Sequence, residues 1–193
     1  TIEVADLEPK TDTAAGNIVD FTPNNDAPVL DGDPSTEAIE ALVGITVDEG
    51  GLVQIESTAA APNIGAVDEE SGPANLTFTV TNIEGGDFIV AGQVSTTFTQ
   101  AQITAGAVFF QHDGTEVPPA YTVTVTDGDG LASPPQTIQG TIGTPVNDPP
   151  TILVNDFDVV EGEELSVTTA VLDAIDTDAV DPAPDIQFTI TGA

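Results

Sequence analysis

Apolar and polar residues alternate along much of this 193-residue chain. Leu76, Phe78 and Val80 take turns with Thr77, Thr79 and Thr81, and Tyr121, Val123 and Val125 take turns with Thr122, Thr124 and Thr126. Successive side chains of a strand point to opposite faces, so such runs read as half-buried strands. The same pattern, enriched in β-branched residues, predicts strands over 42–47, 51–57, 75–82, 87–90, 107–111, 120–126 and 136–143. The 18 Gly and 15 Pro residues supply the turns between them. Short strands so separated predict an all-β chain built on an antiparallel β-sandwich. One helical turn interrupts the pattern: Thr99 with Gln102 forms a capping-box pair, and Gly106 can end the turn. With eight Phe and one Tyr as the only aromatics, the core is expected to be aliphatic, plugged by Phe78, Phe98, Phe109 and Phe110.

Internal repetition sets the domain organisation. The linker Pro23-Asn24-Asn25-Asp26-Ala27-Pro28 returns 122 residues later as Pro145-Val146-Asn147-Asp148-Pro149-Pro150. Thr1–Asp6 resembles Thr122–Asp127, and Leu76–Thr81 resembles Ile186–Thr191. The shorter spacing of that last pair reflects a longer segment after the first linker, Leu30 to Ala41, which contains Asp31-Gly32-Asp33-Pro34. Residues 1–22 therefore read as the closing hairpin of a preceding repeat and 23–28 as a linker. Residues 29–144 read as one complete repeat, 145–150 as a second linker, and 151–193 as the opening strands of a following repeat. In such tandem arrays each unit mainly contacts its neighbours, so stability is close to a sum over units and joints.

Charge narrows the partners. One Lys+Arg stands against 33 Asp+Glu, a formal net charge of −32. Nucleic acid and anionic membrane surfaces both need basic side chains and are excluded as partners. No run is long and apolar enough to span a membrane. The apolar alternation argues against disorder despite the acidity. Self-repulsion of this size calls for bound cations or a salty habitat. Without Cys the chain has neither disulfides nor thiolate metal ligands. The absence of Met and of a signal peptide reads as an interior piece of a longer protein.

The acidic residues fall mostly in turns and joints rather than in solid blocks. At the first joint the candidate ligands are Asn25, Asp26, Asp68, Glu70 and Asp127; at the second they are Glu49, Asn147, Asp148, Asp176 and Asp178. In extended chain, positions i and i+2 share a face, so Asp68 with Glu70, or Asp176 with Asp178, can aim at one ion. Ca²⁺ takes six to eight oxygens at about 2.3–2.6 Å in flexible geometry, whereas Mg²⁺ demands a stricter octahedron. Calcium is therefore the expected cofactor. Asp127-Gly128-Asp129-Gly130 sits where a strand ends, its glycines letting the backbone fold back around the carboxylates.

The run Phe98-Thr99-Gln100-Ala101-Gln102-Ile103-Thr104-Ala105-Gly106-Ala107-Val108-Phe109-Phe110-Gln111-His112-Asp113-Gly114-Thr115-Glu116 resembles the hallmark of chondroitin sulfate proteoglycan-type repeats. These are cadherin-like modules of very large bacterial surface and RTX-type adhesins. The Asn-Asp-x-Pro linkers, the Val-Asp-Glu-Gly step at 47–50 and the closing Thr-Val-Thr-Asp-Gly at 124–128 are similar to the same family. The resemblance implies tandem cadherin-like sandwiches, calcium between repeats, and a structural or adhesive role outside the cell or on its surface. The chain departs from the family at Val117-Pro118-Pro119-Ala120, where an Asp often stands.

Catalysis is not expected. His112, the single His, has no Gly-x-Ser-x-Gly or Cys nucleophile to serve, and one His without Cys makes a poor zinc site. It reads instead as a turn residue before Asp113-Gly114. Acid pairs are plentiful, but Trp is absent and Tyr121 stands alone, which disfavours a glycosidase cleft. The leading expectation is a calcium-rigidified extender segment of a large secreted or surface-anchored adhesin, its partners the neighbouring repeats or copies of itself. Host or surface glycans and proteins would be met through other domains. One alternative is a subunit of a surface filament or layer assembling head to tail through unpaired edges. The other is a glycan- or protein-binding module, for which Phe88 in the 82–97 segment is the single aromatic on offer.

Overall fold

The computed structural model describes residues 24–176, 178 and 186–189. The hairpin predicted for 1–22 lies outside the described residues, as do Ile190 and Thr191 of the run aligned with Leu76–Thr81. In chain order come β1 (Val29–Leu30), β2 (Thr46–Val47), β3 (Leu52–Gln54), β4 (Ser57–Thr58), β5 (Ala61–Pro62), β6 (Ala66–Val67) and β7 (Thr77–Glu84). They are followed by β8 (Gly86–Val90), β9 (Gln93–Val94), β10 (Thr97–Thr99), the helix α1 (Gln100–Thr104), β11 (Val108–His112) and β12 (Ala120–Thr126). The last are β13 (Gln136–Gln139), β14 (Thr141–Ile142), β15 (Thr151–Asn155) and β16 (Leu172–Ile175).

Two four-stranded antiparallel sheets make the sandwich, ordered β10-β7-β12-β13 and β3-β11-β8-β9. The predicted alternation orients them. Phe78 and Val80 of β7, Tyr121, Val123 and Val125 of β12, Phe88 and Val90 of β8, and Val108 and Phe110 of β11 are all buried between the sheets. Phe88 is the hub of the aromatic cluster: its ring centroid lies 5.6 Å from Phe98, 5.3 Å from Phe110 and 5.1 Å from Tyr121. Phe109, expected in the core, is only half-buried. The inward set of β11 begins at Val108, and a period of two turns Phe109 to the other face.

Three predicted strands are shorter than their apolar runs, the 51–57 run dividing into β3 and β4 with residues 55–56 in neither. Over 42–47 only Thr46–Val47 joins a ladder, pairing parallel with β14. Gly44 lies against the strand opposite so closely that a Cβ there would stand 1.8 Å from the Gln139 carbonyl oxygen. The 136–143 run breaks at Gly140, whose N–H bonds the Pro119 carbonyl (2.7 Å) instead of continuing the sheet. The helical turn is where the capping pattern put it. Thr99 Oγ1 accepts from the Gln102 N–H (3.2 Å) and Gln102 Oε1 accepts from the Thr99 N–H (2.8 Å). Gly106 follows with φ +68°, the left-handed value that ends helices.

The first linker enters β1, which pairs antiparallel with β6. The second leaves β14 and enters β15, which pairs antiparallel with β16. The sandwich thus carries a linker at each end, beside the turns that hold the acidic doublets.

Candidate metal centres at the joints

At the first joint two adjacent linker residues reach two different turns of the sandwich. Asn25 Nδ2 donates to Asp127 Oδ2 (2.7 Å). The Asp26 backbone N–H lies near enough to the Glu70 carboxylate to oppose the rise in its pKa. Asp127 is held for this role by its own turn, since its Oδ1 accepts from the N–H groups of Asp129 (2.9 Å) and Leu131 (2.8 Å). Asp68 Oδ1 is likewise fixed by the N–H groups of Glu70 (2.9 Å) and Ser71 (3.3 Å). Ser71 stands between the turns, its Oγ taking the Gly128 N–H at 3.5 Å. Asn25, Asp26, Asp68, Glu70 and Asp127 are thus linked through a short chain of contacts.

At the second joint Glu49, 7 % exposed, accepts from the Val146 N–H of the linker through Oε2 (2.7 Å). The Asp148 N–H donates to Asp178 Oδ2 (2.7 Å), and the Asp178 N–H donates to Asp176 Oδ1 (3.2 Å). Asn147 does not join them. It is exposed and its amide donates to the neighbouring Asp148 carbonyl (3.1 Å). No hydrogen bond joins Glu49 directly to the aspartate group among the described residues, so the linker backbone is what connects the two.

As they stand, no group of three or more His, Cys, Asp or Glu side chains among the described residues converges into a ready metal shell. The donor chemistry nonetheless fits a hard cation. Asn25 Oδ1 and Asp68 Oδ2 at the first joint, and Asp178 Oδ1 at the second, are buried oxygens without a hydrogen-bond donor. A buried acceptor without a partner is costly, by about 1–3 kcal/mol each. No Lys or Arg among the described residues can compensate them, because the chain's single basic residue of that kind is Lys10.

The electrostatics of the two joints differ. The Asn25 amide, followed by the turn N–H groups, holds the Asp127 carboxyl below its ordinary range. Loss of solvent raises Asp178, and the neighbouring charges of Asp176 and Asp148 add to the rise against the opposing Asp148 N–H. Loss of solvent and the adjoining Asp68 raise Glu70. A carboxyl lowered on folding stabilises the fold above its ordinary value, and that contribution disappears as pH falls through the lowered one. A raised carboxyl does the opposite, weakening the fold while ionised and ceasing to do so once pH drops through its raised value. In a chelator, acidification from neutrality should therefore first raise the melting temperature, as Asp178 and Glu70 protonate. It should lower it only below the ordinary carboxyl range, as the contributions of Asp127 and Asp113 are lost. Calorimetry across that window should find the first rise reduced in Asp178→Asn.

His112 is 2 % exposed and fully engaged with backbone. Its Nδ1 accepts from the N–H groups of Gly50 (3.2 Å) and Gly114 (3.1 Å), and its Nε2 therefore carries the proton donated to the Val117 carbonyl (3.0 Å). The ring ties the Glu49-Gly50 turn to the 112–117 turn, which is a structural task. Phe88, the aromatic offered for ligand stacking, is wholly buried and unavailable for it. Sequence reasoning also passed over two buried carboxylates, Asp31 and Asp33. Their signal was the same acid-x-acid doublet, met in a segment noted only for its length.

A family model described as cadherin-like matches residues 35–139, more than half of the chain and most of the sandwich. No curated protein and no solved structure matches the chain.

Proposed function

This chain belongs to the cadherin-like family, and from that premise we propose that it is a calcium-rigidified extender segment of a large secreted or surface-anchored adhesin. Cadherin-like domains are typically non-enzymatic, extracellular modules of structural or adhesive use. No helix among the described residues is long and apolar enough to cross a membrane. The observation that carries the finer reading is the first linker's grip on two separate turns, with donor-free oxygens on both sides of it: Asn25 Oδ1 and Asp68 Oδ2.

Asn25, Asp26, Asp68, Glu70 and Asp127 would hold the ion at the first joint, and Glu49, Asp148, Asp176 and Asp178, with Asn147 beside them, at the second. Bound there, calcium supplies the positive charge that the chain lacks. The residues themselves do the rest. The turn N–H groups fix Asp127 and Asp68 in place before binding. The linker backbone at Val146 and Asp148 is tethered to the preceding and the following repeat at once, through Glu49 and Asp178. Without a cation, mutual repulsion of Asp148, Asp176 and Asp178 loosens that tether.

Thermal unfolding in calcium and in chelator tests this reading. Binding only to the ordered joint stabilises it by mass action, about 2.7 kcal/mol at a hundredfold excess over Kd. A melting temperature indifferent to calcium would refute it. Head-to-tail assembly has one observation in its favour, the exposed Ile152, Leu153 and Ile175 on the β15–β16 pair. Mass that rises with concentration in calcium would support that alternative.

A further inference from the structure

Outside the joints the repeat buries two more carboxylates. Asp31 is 0 % and Asp33 is 3 % exposed. They lie between the first linker and the Glu-Gly step, a segment longer than its equivalent after the second linker: Glu49 comes 26 positions after Pro23, whereas Glu161 comes 16 after Pro145. The Asp31 carboxyl sits inside this loop. Its Oδ1 accepts from the N–H groups of Asp33 (3.0 Å) and Glu40 (3.0 Å), and the loop is closed by the Gly32 N–H to the Glu40 carbonyl (2.9 Å). The other oxygen, Asp31 Oδ2, is buried and has no hydrogen-bond donor. Asp33 Oδ1 is held by the Ser35 N–H (3.2 Å) and hydroxyl (2.6 Å). The Glu40 carboxylate is turned outward to the Thr36 hydroxyl (2.9 Å) and does not share the interior.

Buried charges are paired or coordinate metals, because leaving one unpartnered in a low-dielectric interior is too costly. Pairing is closed to Asp31 among the described residues, which include no Lys or Arg, and His112 is committed to backbone at Gly50, Gly114 and Val117. We propose that the Asp31–Glu40 loop binds a hard divalent cation of its own, Ca²⁺, with Asp31 Oδ2 and Asp33 as its carboxylate ligands. Loop carbonyls and water complete the shell, as the high coordination number of calcium allows. The ion fastens the loop to the sandwich, where the Asp31 N–H already bonds the Gly65 carbonyl (2.8 Å). It is additional to any ion at the joints.

The test counts calcium on the whole chain by titration calorimetry and native mass spectrometry. Asp31→Asn keeps an oxygen for the two backbone donors while removing the charge, so the loop is expected to fold. Asp33→Asn is an independent second variant. Each should bind one Ca²⁺ fewer than the parent chain, while Asp127→Asn, at the first joint, retains the loop's ion. In chelator, Asp31→Asn should melt no lower than the parent. The proposal is overturned if the folded variants, with circular dichroism unchanged, bind as many ions as the parent. It is also overturned if the parent binds none. Should Asp31→Asn fail to fold, the count for Asp33→Asn decides. A count that falls in Asp127→Asn alone leaves the joints standing and removes the loop site.

Discussion

Phe88→Ala should destabilise the sandwich by about 3–5 kcal/mol, the usual cost of truncating a buried Phe. Phe88 is wholly buried and touches three other rings, two of them edge-on. Edge-to-face pairs add about 0.5–1.5 kcal/mol beyond area burial, so the loss should fall at the upper end. The neighbouring sheets are fixed by their ladders, β8 being hydrogen-bonded to both β11 and β9, and cannot close on the space left behind. Phe109→Ala is the matched control. It removes the same side chain from the half-buried outer face of β11 and should cost appreciably less. Urea unfolding of the two variants, read at constant m-value, makes the comparison. Equal losses would mean that the register of β11 has been misplaced by one residue.

Asp178→Ala should abolish most of the calcium-dependent stabilisation of the second joint, a loss of up to about 2.7 kcal/mol at a hundredfold excess over Kd. Asp178 is 6 % exposed, receives the linker N–H of Asp148 and keeps a buried oxygen without a donor. Asp158→Ala alters the net charge equally but touches an exposed side chain. It should leave the calcium increment intact. The sign in chelator is diagnostic as well. There Asp178 contributes repulsion toward Asp176 and Asp148, so its removal should weaken the joint less than it does in calcium. Calorimetric melts of both variants with and without calcium give all the differences required. A calcium increment equal in Asp178→Ala and in the parent chain would exclude this residue as a ligand.

The long strands were legible because they are long. Eight residues of β7 and seven of β12 give alternation enough repeats to fix both type and register. Two-residue strands such as β1, β4, β5 and β6 have no period to read, and they form where the chain passes a neighbour. In the Phe109-Phe110 pair two adjacent aromatics are equally good candidates for an inward position, and only the pairing of β11 with β8 decides between them. Phe88 falls in the 87–90 strand that the pattern predicts, but so short a run does not say which face turns inward, and the ring is buried.

What composition and spacing offered at the linkers was a recurring set of linker, Glu-Gly step and acidic doublet. What spacing does not contain is the route of the linker. It takes the fold to bring Asn25 to Asp127 across 102 positions, and Glu49 to Val146 across 97. Nor does it contain the direction of a side chain. Asn147, alike in type to Asn25, faces solvent and bonds its own neighbour. Asp31 and Asp33 stayed invisible for the opposite reason. An Asp-Gly-Asp-Pro stretch has the composition of an exposed turn, and nothing local reveals that the loop folds its own carboxylate inside.

Small-angle scattering of the whole chain, in millimolar calcium and then in chelator, tests the joint mechanism most directly. A chain stiffened at its linkers should have a well-defined maximum dimension in calcium, and should show a broadened distance distribution once the ion is stripped and the carboxylates repel. Scattering curves that superimpose in the two conditions would contradict it.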